Sequence, residues 1–442
     1  MKRMVWVIKI CEVGGKRRRE KIVFQLGEIA APISIGELGI CLEQGKSLMA
    51  AVQRAIVTIQ SKALADHAKQ EVRSELGVSL KDYRRRRIQT PYGLADLHVP
   101  RLERHGVVSP ITNWPSNCRS TPAFDSIRAA MSAWMSYRAT EKILCGLLPM
   151  DSGRHHTTLR NQVLELGKAA EVSDEAATPL AAAKKMNLGL DCTFIRSNEP
   201  DLGRLHEVLF GHIEQPHAMS RVFASIGETP ELRATRIGEN LSRAGMTKST
   251  AVTTFTDGGV GLRQLAKASG LSTMPILDWH HVAQRLQHVR QAAKGLKSTV
   301  PDLPHVTVQI IAEVERLRWR LWNGKPGAVA EAIEKIRPLV RTKRRTSKAR
   351  RPVRPWAALM STLFALRKYI TGQEAWMIDY ARCHRRGERV GTSQTESAAN
   401  SLVNKRMNKS QQMRWSVAGA RSLLNVRAAV INGDLAPFAI SA

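Results

Sequence analysis

Lys185-Met-Asn-Leu-Gly-Leu-Asp-Cys-Thr-Phe-Ile195 is an apolar run of strand length with an acidic side chain in its middle. A charge inside such a strand is costly unless it is paired or holds a metal. The neighbouring sequence keeps the same texture. Leu205–Glu214 and Ser220–Gly227 are two further strand-like stretches, Pro230–Ala244 has the spacing of a helix, and Thr250–Asp257 is a fourth strand that runs into Gly258-Gly259.

Three strands, a helix and a fourth strand open a ribonuclease-H-like α/β fold. In such a sheet the first and fourth strands are neighbours, so Asp191 and Asp257 would meet. Gly258-Gly259 would let backbone approach a phosphate closely. Glu396 opens a C-terminal helix whose first turn would face them. Each residue has a plainer role on its own: an Asp before Gly-Gly makes turns, and a Glu at a helix start complements the helix dipole. Together they suit phosphodiester chemistry, which uses two divalent ions about 4 Å apart. Mg²⁺ needs only a few carboxylates besides water and phosphate oxygens. Asp278 and His281, spaced D-x-x-H in Ile276–Val282, form an auxiliary pair. Two ligands without a third are too few for zinc, and a junction with His281 hydrogen-bonded to carboxylate or phosphate is an equal reading.

Five regions are expected along the chain. Residues 1–120 form an N-terminal α+β region, with a helix around Gly45–Ala63, helical charged sequence over 62–90 that ends in Arg84-Arg85-Arg86-Arg87, and a small hairpin around Pro91-Tyr92-Gly93. Residues 121–180 are helical. Ser136–Leu148 and His155–Glu171, joined by Pro149–Gly153, suit a helix-turn-helix with Arg154, His155 and Arg160 reaching DNA, or equally an ordinary helical pair. Residues 181–282 hold the first part of the catalytic core. Residues 283–385 form an all-α region that contains a basic linker, Arg341–Arg354, with eight Lys or Arg. Residues 386–442 return to the core as helices from Glu396 to Val403 and from Ser416 to Asn432. The N-terminal portion as a whole is expected to be mainly helical and to bind DNA.

Composition narrows the partner. The 442 residues are 43% hydrophobic, and 68 Lys and Arg face 38 Asp and Glu, a formal charge of +30. A compact chain with that excess repels itself unless its partner is a polyanion. Only 5% of residues are aromatic, and no aromatic-rich sheet motif occurs, which argues against an RNA-binding protein. Six scattered cysteines without a CxxC pair read as reduced thiols. No apolar run approaches the ~20 residues of a membrane span, and the N-terminus lacks a signal peptide's apolar region. A cytoplasmic, nucleoid-associated protein is expected.

The C-terminal block Thr395-Glu-Ser-Ala-Ala-Asn400, with Met413-Arg-Trp-Ser416, Gly419-Ala420 and Asn432-Gly433, resembles the Kra-type family of bacterial insertion-sequence DDE transposases, a group distantly similar to Mutator-type transposases. Leu277-Asp-Trp-His-His281 and Thr256-Asp-Gly258 are similar to further segments of that family, and the likeness spans roughly 185–433. It implies an acidic triad at Asp191, Asp257 and Glu396 that holds two Mg²⁺ ions, with Mn²⁺ as a substitute, and it makes the all-α stretch between Asp278 and Glu396 an insertion domain that interrupts the catalytic fold. It implies strand cleavage and strand transfer on double-stranded DNA, at element ends and target, by a homodimer or higher homo-oligomer. Cys192 departs from the Gly expected after the first Asp. Asp201 is the obvious substitute, but its surroundings read as a hairpin loop. Lys405, Arg406, Lys409 and Arg414 are candidate DNA-backbone contacts, and Trp415 either stacks a base or fills the core. The alternatives are a nuclease with no joining activity and a transposase-derived DNA-binding protein.

Overall fold

The computed structural model describes residues 6–12, 19–27, 33–35, 38–114, 118–150, 155–173, 180–216, 218–271, 273–296, 304–346, 354–391, 397, 400–409 and 413–435. The chain divides into two compact units, Met1–Ala169 with Gly433–Ala442, and Ala170–Asn432.

The N-terminal unit pairs β1 (Trp6–Glu12) with β2 (Arg19–Gly27) as an antiparallel hairpin. A 33-residue helix α1 (Leu42–Ser74) follows, then an antiparallel sheet of β3 (Val78–Thr90), β4 (Gly93–Arg104) and β5 (Val107–Pro110). The arginine run Arg84–Arg87 therefore lies in a strand, not at the end of a helix. Its partner decides this: β4 turns Ala95, Leu97 and Val99 into the core at every second position, and β3 pairs with it along its whole length. The expected hairpin exists but is longer than its turn suggested, with Thr90 facing Gly93 across Pro91-Tyr92. Helices α2 (Pro122–Trp134), α3 (Tyr137–Leu147) and α4 (His156–Ser173) complete the unit. Among the described residues five strands in two sheets accompany four helices, so the N-terminal portion mixes strands with its helices.

The second unit is built on a five-stranded sheet of β6 (Lys185–Arg196), β7 (Leu205–Glu214), β8 (Arg221–Ile226), β9 (Ala251–Thr256) and β10 (Ile276–Leu277). Its order is β10–β9–β6–β7–β8. β6, β7 and β8 run antiparallel in a meander, whereas β9 and β10 are parallel to β6. The parallel crossover between β6 and β9 needs a covering helix, and α5 (Pro230–Arg243) supplies it. Thr229 caps α5, accepting from the Leu232 N–H, and Pro230 fills the first turn. α5 and α6 (Val260–Ala268) cover one face, burying Ile237, Leu241 and Leu265 against Leu188, Leu190 and Leu209.

After β10 the chain becomes helical. α7 (Trp279–Gly295), α8 (Pro304–Trp322), α9 (Ala328–Thr346) and α10 (Arg354–Thr371) share a second core that includes Leu286, Ile310, Leu321, Ile336 and Leu363. Trp279, Trp322 and Tyr380 pack ring against ring at its base, at centroid distances of 4.8–6.0 Å. The first residues of the expected basic linker belong to α9, which continues to Thr346. Residues 347–353 lie outside the described part. α11 (Tyr380–Arg385) leads back toward the sheet. The helix expected from Glu396 is described over Asn400–Lys409, wound as a π-helix, and α12 (Val417–Ile431) follows it.

Candidate active site

Register brings three acidic residues to one edge. Leu190 on β6 pairs with Thr256 on β9, and Thr256 pairs with Leu277 on β10. The next residue after each of these is an aspartate: Asp191, Asp257 and Asp278. They stand side by side at the same level of three parallel strands, where the chain leaves the sheet after β9 and β10. In open α/β sheets this carboxyl end is where ligands are bound.

Each aspartate is held by a backbone N–H close in sequence. Asp191 Oδ1 accepts from the Cys192 N–H (2.7 Å), Asp257 Oδ1 from the Gly259 N–H (2.8 Å), and Asp278 Oδ1 from the His280 N–H (2.8 Å), the last capping α7. α7 begins immediately after β10, so its first turn carries His281 over the same edge. His281 Nε2 lies 3.8 Å from Asp191 Oδ2 and 3.8 Å from Asp278 Oδ2. Burial pushes the Asp191 carboxyl up to about 6. His281 and the Cys192 N–H pull it back, and the neighbouring Asp257 and Asp278 charges push it further up. The edge is a concentration of negative charge relieved in part by one imidazole.

That chemistry fits divalent cations: hard oxygen donors on rigid strand ends, with a buried carboxylate, Asp191, whose charge one imidazole offsets only in part. The donors are spread rather than gathered on one point. Among the described residues the trio whose ligand atoms all lie within 4.8 Å of one another is Glu141, His155 and His156, in the other unit. Asp191, Asp278 and His281 do not close to that distance. A pair of ions shared between neighbouring carboxylates does not require it. Glu141 serves the fold instead. It accepts from the His156 backbone N–H and lies 3.1 Å from the His156 ring, capping α4. These contacts lower the Glu141 carboxyl, more than offsetting its burial.

Glu396 lies outside the described residues. The described chain before it meets Asp278 and Trp279, and the described chain after it meets β6 two and three residues past Asp191. The Trp279 N–H donates to Val390 O (3.2 Å), and a Cβ on Gly391 would sit 2.8 Å from Asp278 Oδ1. Beyond it, Asn404 Oδ1 accepts from the Thr193 hydroxyl (3.3 Å), and the Asn408 amide donates to Phe194 O (3.0 Å). Cys192 points to the opposite face of β6 from Asp191 and packs against the sheet core. Its thiol, pushed up to about 12 chiefly by burial, stays protonated. Asp201 is exposed in the short 3-10 turn Pro200–Leu202.

The proposed DNA contacts divide. His155, Arg160, Lys405 and Arg414 are exposed. Arg154 and the side chain of Lys409 lie outside the described part. Arg406 is corrected: it is fully buried, its guanidinium 5.4 Å from the Trp415 ring centre and its Nη1 3.1 Å from the Met413 sulfur, so it supports the fold and does not face solvent. Trp415 fills the core and donates to Met407 O (3.3 Å).

No protein-family model matches the chain, and no curated protein matches it. No helix among the described residues is long and apolar enough to cross a membrane.

Several residues around the aspartates carry no signal in the sequence. Tyr369 at the end of α10 donates to Asp257 O (2.7 Å), and Tyr380 donates to Leu277 O (2.8 Å). Arg263 of α6 donates to Gly258 O and to Gln373. A tyrosine on an amphipathic helix reads as core, and only the fold reveals which carbonyl its hydroxyl reaches.

Proposed function

We propose that the chain is a DNA transposase of the DDE type, acting through Asp191, Asp257 and Glu396 on the ends of its own element. The observation that carries the reading is the alignment of Asp191, Asp257 and Asp278 on three adjacent parallel strands, with His281 between two of them. The neighbouring first and fourth strands, β6 and β9, are the arrangement a ribonuclease-H-like core requires. The helical bundle α7–α10, inserted between β10 and the C-terminal helices, has the place of an insertion domain. The charge of +30 supports a polyanionic partner.

On this reading Asp191, Asp257 and Glu396 would hold two divalent ions, Mg²⁺ with Mn²⁺ as substitute. Such ions activate a water or a 3′-hydroxyl and stabilise the leaving oxygen. Asp278 caps α7 and fixes the helix that carries His281. His281 balances the charge of Asp191. Lys405 and Arg414, exposed on and beyond the π-helix, would hold the DNA backbone.

The test is nicking and strand transfer on element-end DNA with Mg²⁺ or Mn²⁺. Asp191→Asn, Asp257→Asn and Glu396→Gln should each abolish both activities while DNA binding survives. Full activity in any one removes that residue from the triad. Cutting without joining by the parent protein would make it a nuclease, and metal-independent binding without cutting would make it a DNA-binding protein only.

A further inference from the structure

We infer that the helical insertion sets the position of Asp257 through a clamp of Tyr369, Arg263 and Gln373 on the Asp257-Gly258-Gly259 turn. The inference rests on the reading of Asp257 as a metal-holding carboxylate.

Three independent contacts converge on the turn. The Tyr369 hydroxyl donates to Asp257 O across 112 residues of sequence, at 2.7 Å. Arg263 donates to Gly258 O and to Gln373 Oε1 together, so one guanidinium ties the turn to the end of α10. Gly258 has φ +94°, and a Cβ there would meet the Gln373 amide at 2.8 Å and Leu277 Cδ1 at 3.1 Å. The turn is thus gripped through its backbone and leaves no room for a side chain.

The gripping groups are themselves fixed. The Arg263 guanidinium lies 3.4 Å from the Trp376 ring centre, and the Arg285 guanidinium of α7 lies 3.9 Å from the centre of the Tyr369 ring. Trp376 and Tyr369 both pack on the core of the helical bundle. A shift of α10 against α7 is therefore transmitted to the carbonyls of Asp257 and Gly258, and from there to the Asp257 carboxylate, whose Oδ1 is already tied to the Gly259 N–H. Tyr369, Arg263 and Gln373 are positioning residues. They touch the turn and not the reacting atoms. The bundle thereby has a role beyond spacing: whatever binds α7 or α10 acts on the geometry of Asp257.

The experiment uses the full chain, free of metal and then titrated with Mn²⁺. Tyr369→Phe removes one hydroxyl and keeps the ring that stacks on Arg285, and Arg263→Met provides a second variant should the first misfold. Hydrogen exchange at the Gly259 amide should accelerate at least tenfold in either variant, with protection of the α8 and α9 amides unchanged. Mn²⁺ affinity, followed by water-proton relaxation, should fall at least fivefold. Parent-like exchange at Gly259 in a folded Tyr369→Phe or Arg263→Met protein overturns the clamp. Asp257→Asn serves as the reference: if it binds Mn²⁺ as tightly as the parent, the metal reading of Asp257 falls, while the exchange result still decides the clamp.

Discussion

His281 Nε2 stands 3.8 Å from Asp191 Oδ2, although one residue lies in the first turn of α7 and the other mid-strand in β6. The imidazole is the principal counterweight to burial at Asp191. Replacing it by asparagine keeps a polar side chain and removes the imidazole. In metal-free His281→Asn the Asp191 carboxyl should titrate above about 6. Carboxyl-carbon NMR would follow it directly. An unchanged or lower midpoint would mean that His281 does not carry charge beside Asp191.

Asp191 also links pH to stability. Its folded-state value of about 6 exceeds the ordinary 3.8, so the folded protein binds the proton more tightly than the unfolded chain. Stability from this group is full below about pH 4 and is lost as pH rises through 6. The loss is on the order of 3 kcal/mol at 1.36 kcal/mol per unit. Asp191→Asn should abolish that part of the profile. Mg²⁺ above pH 6 should raise the melting temperature of the parent and not of the variant.

His212 works in the opposite sense over the same range. Burial on β7, aided by the Arg389 charge, holds its imidazole down at about 4 against an ordinary 6.5. The unfolded chain therefore takes up the proton first, and stability is lost as pH falls from 6.5 towards 4, by on the order of 3 kcal/mol. In the parent the two slopes nearly cancel. His212→Gln should expose the Asp191 slope, so that its stability falls with rising pH more steeply than the parent's. Parallel curves for the two proteins in chemical denaturation would contradict the assignment.

The sheet of the second unit was legible because its strands are bounded apolar runs, and Asp191 announced itself as a charge within one of them. Periodicity failed at Arg84–Arg87. Four arginines carry no alternation of their own, and the strand is imposed by Ala95, Leu97 and Val99 on its partner. Arg406 departs from its sequence reading for a related reason. Beside Lys405 it looks like half of a basic surface pair, yet adjacent residues of a helix face different ways, and this one turns inward onto Trp415. Asp278 was legible only as half of a D-x-x-H pair, because its place beside Asp257 depends on a two-residue strand. Tyr369 and Arg263 were beyond reach, since their contacts join elements far apart in the chain.

Arg427 offers a test of the C-terminal packing. It is 1% exposed on α12 and donates to Ser401 O and Leu402 O in the first turn of the π-helix, the end nearest Glu396. Burial, and the nearby charge of Arg406, hold its guanidinium down at about 9. Arg427→Met keeps much of the volume and leaves one buried and one half-buried carbonyl without that donor, a loss of roughly 2–4 kcal/mol. Urea denaturation should show it as a lower midpoint with an unchanged slope. A variant as stable as the parent would show that water or another group serves those carbonyls equally well.

The strand assignment of the arginine run yields a test of DNA binding by the first unit. Arg85 is engaged with Asp96, its Nε 2.8 Å from Oδ1, whereas Arg84 is exposed and has no ion pair among the described residues. An exposed cation on the edge strand of this sheet is available to a phosphate, and each such contact contributes about 0.9 to the slope of log K against log salt concentration. Arg84→Ala should therefore reduce that slope by about one and weaken binding alike on specific and unrelated duplexes. Arg85→Ala should change the slope less, because the charge it removes is already neutralised by Asp96. Equal changes in both variants would point to the general field of the protein, and no change in either would place the DNA away from β3.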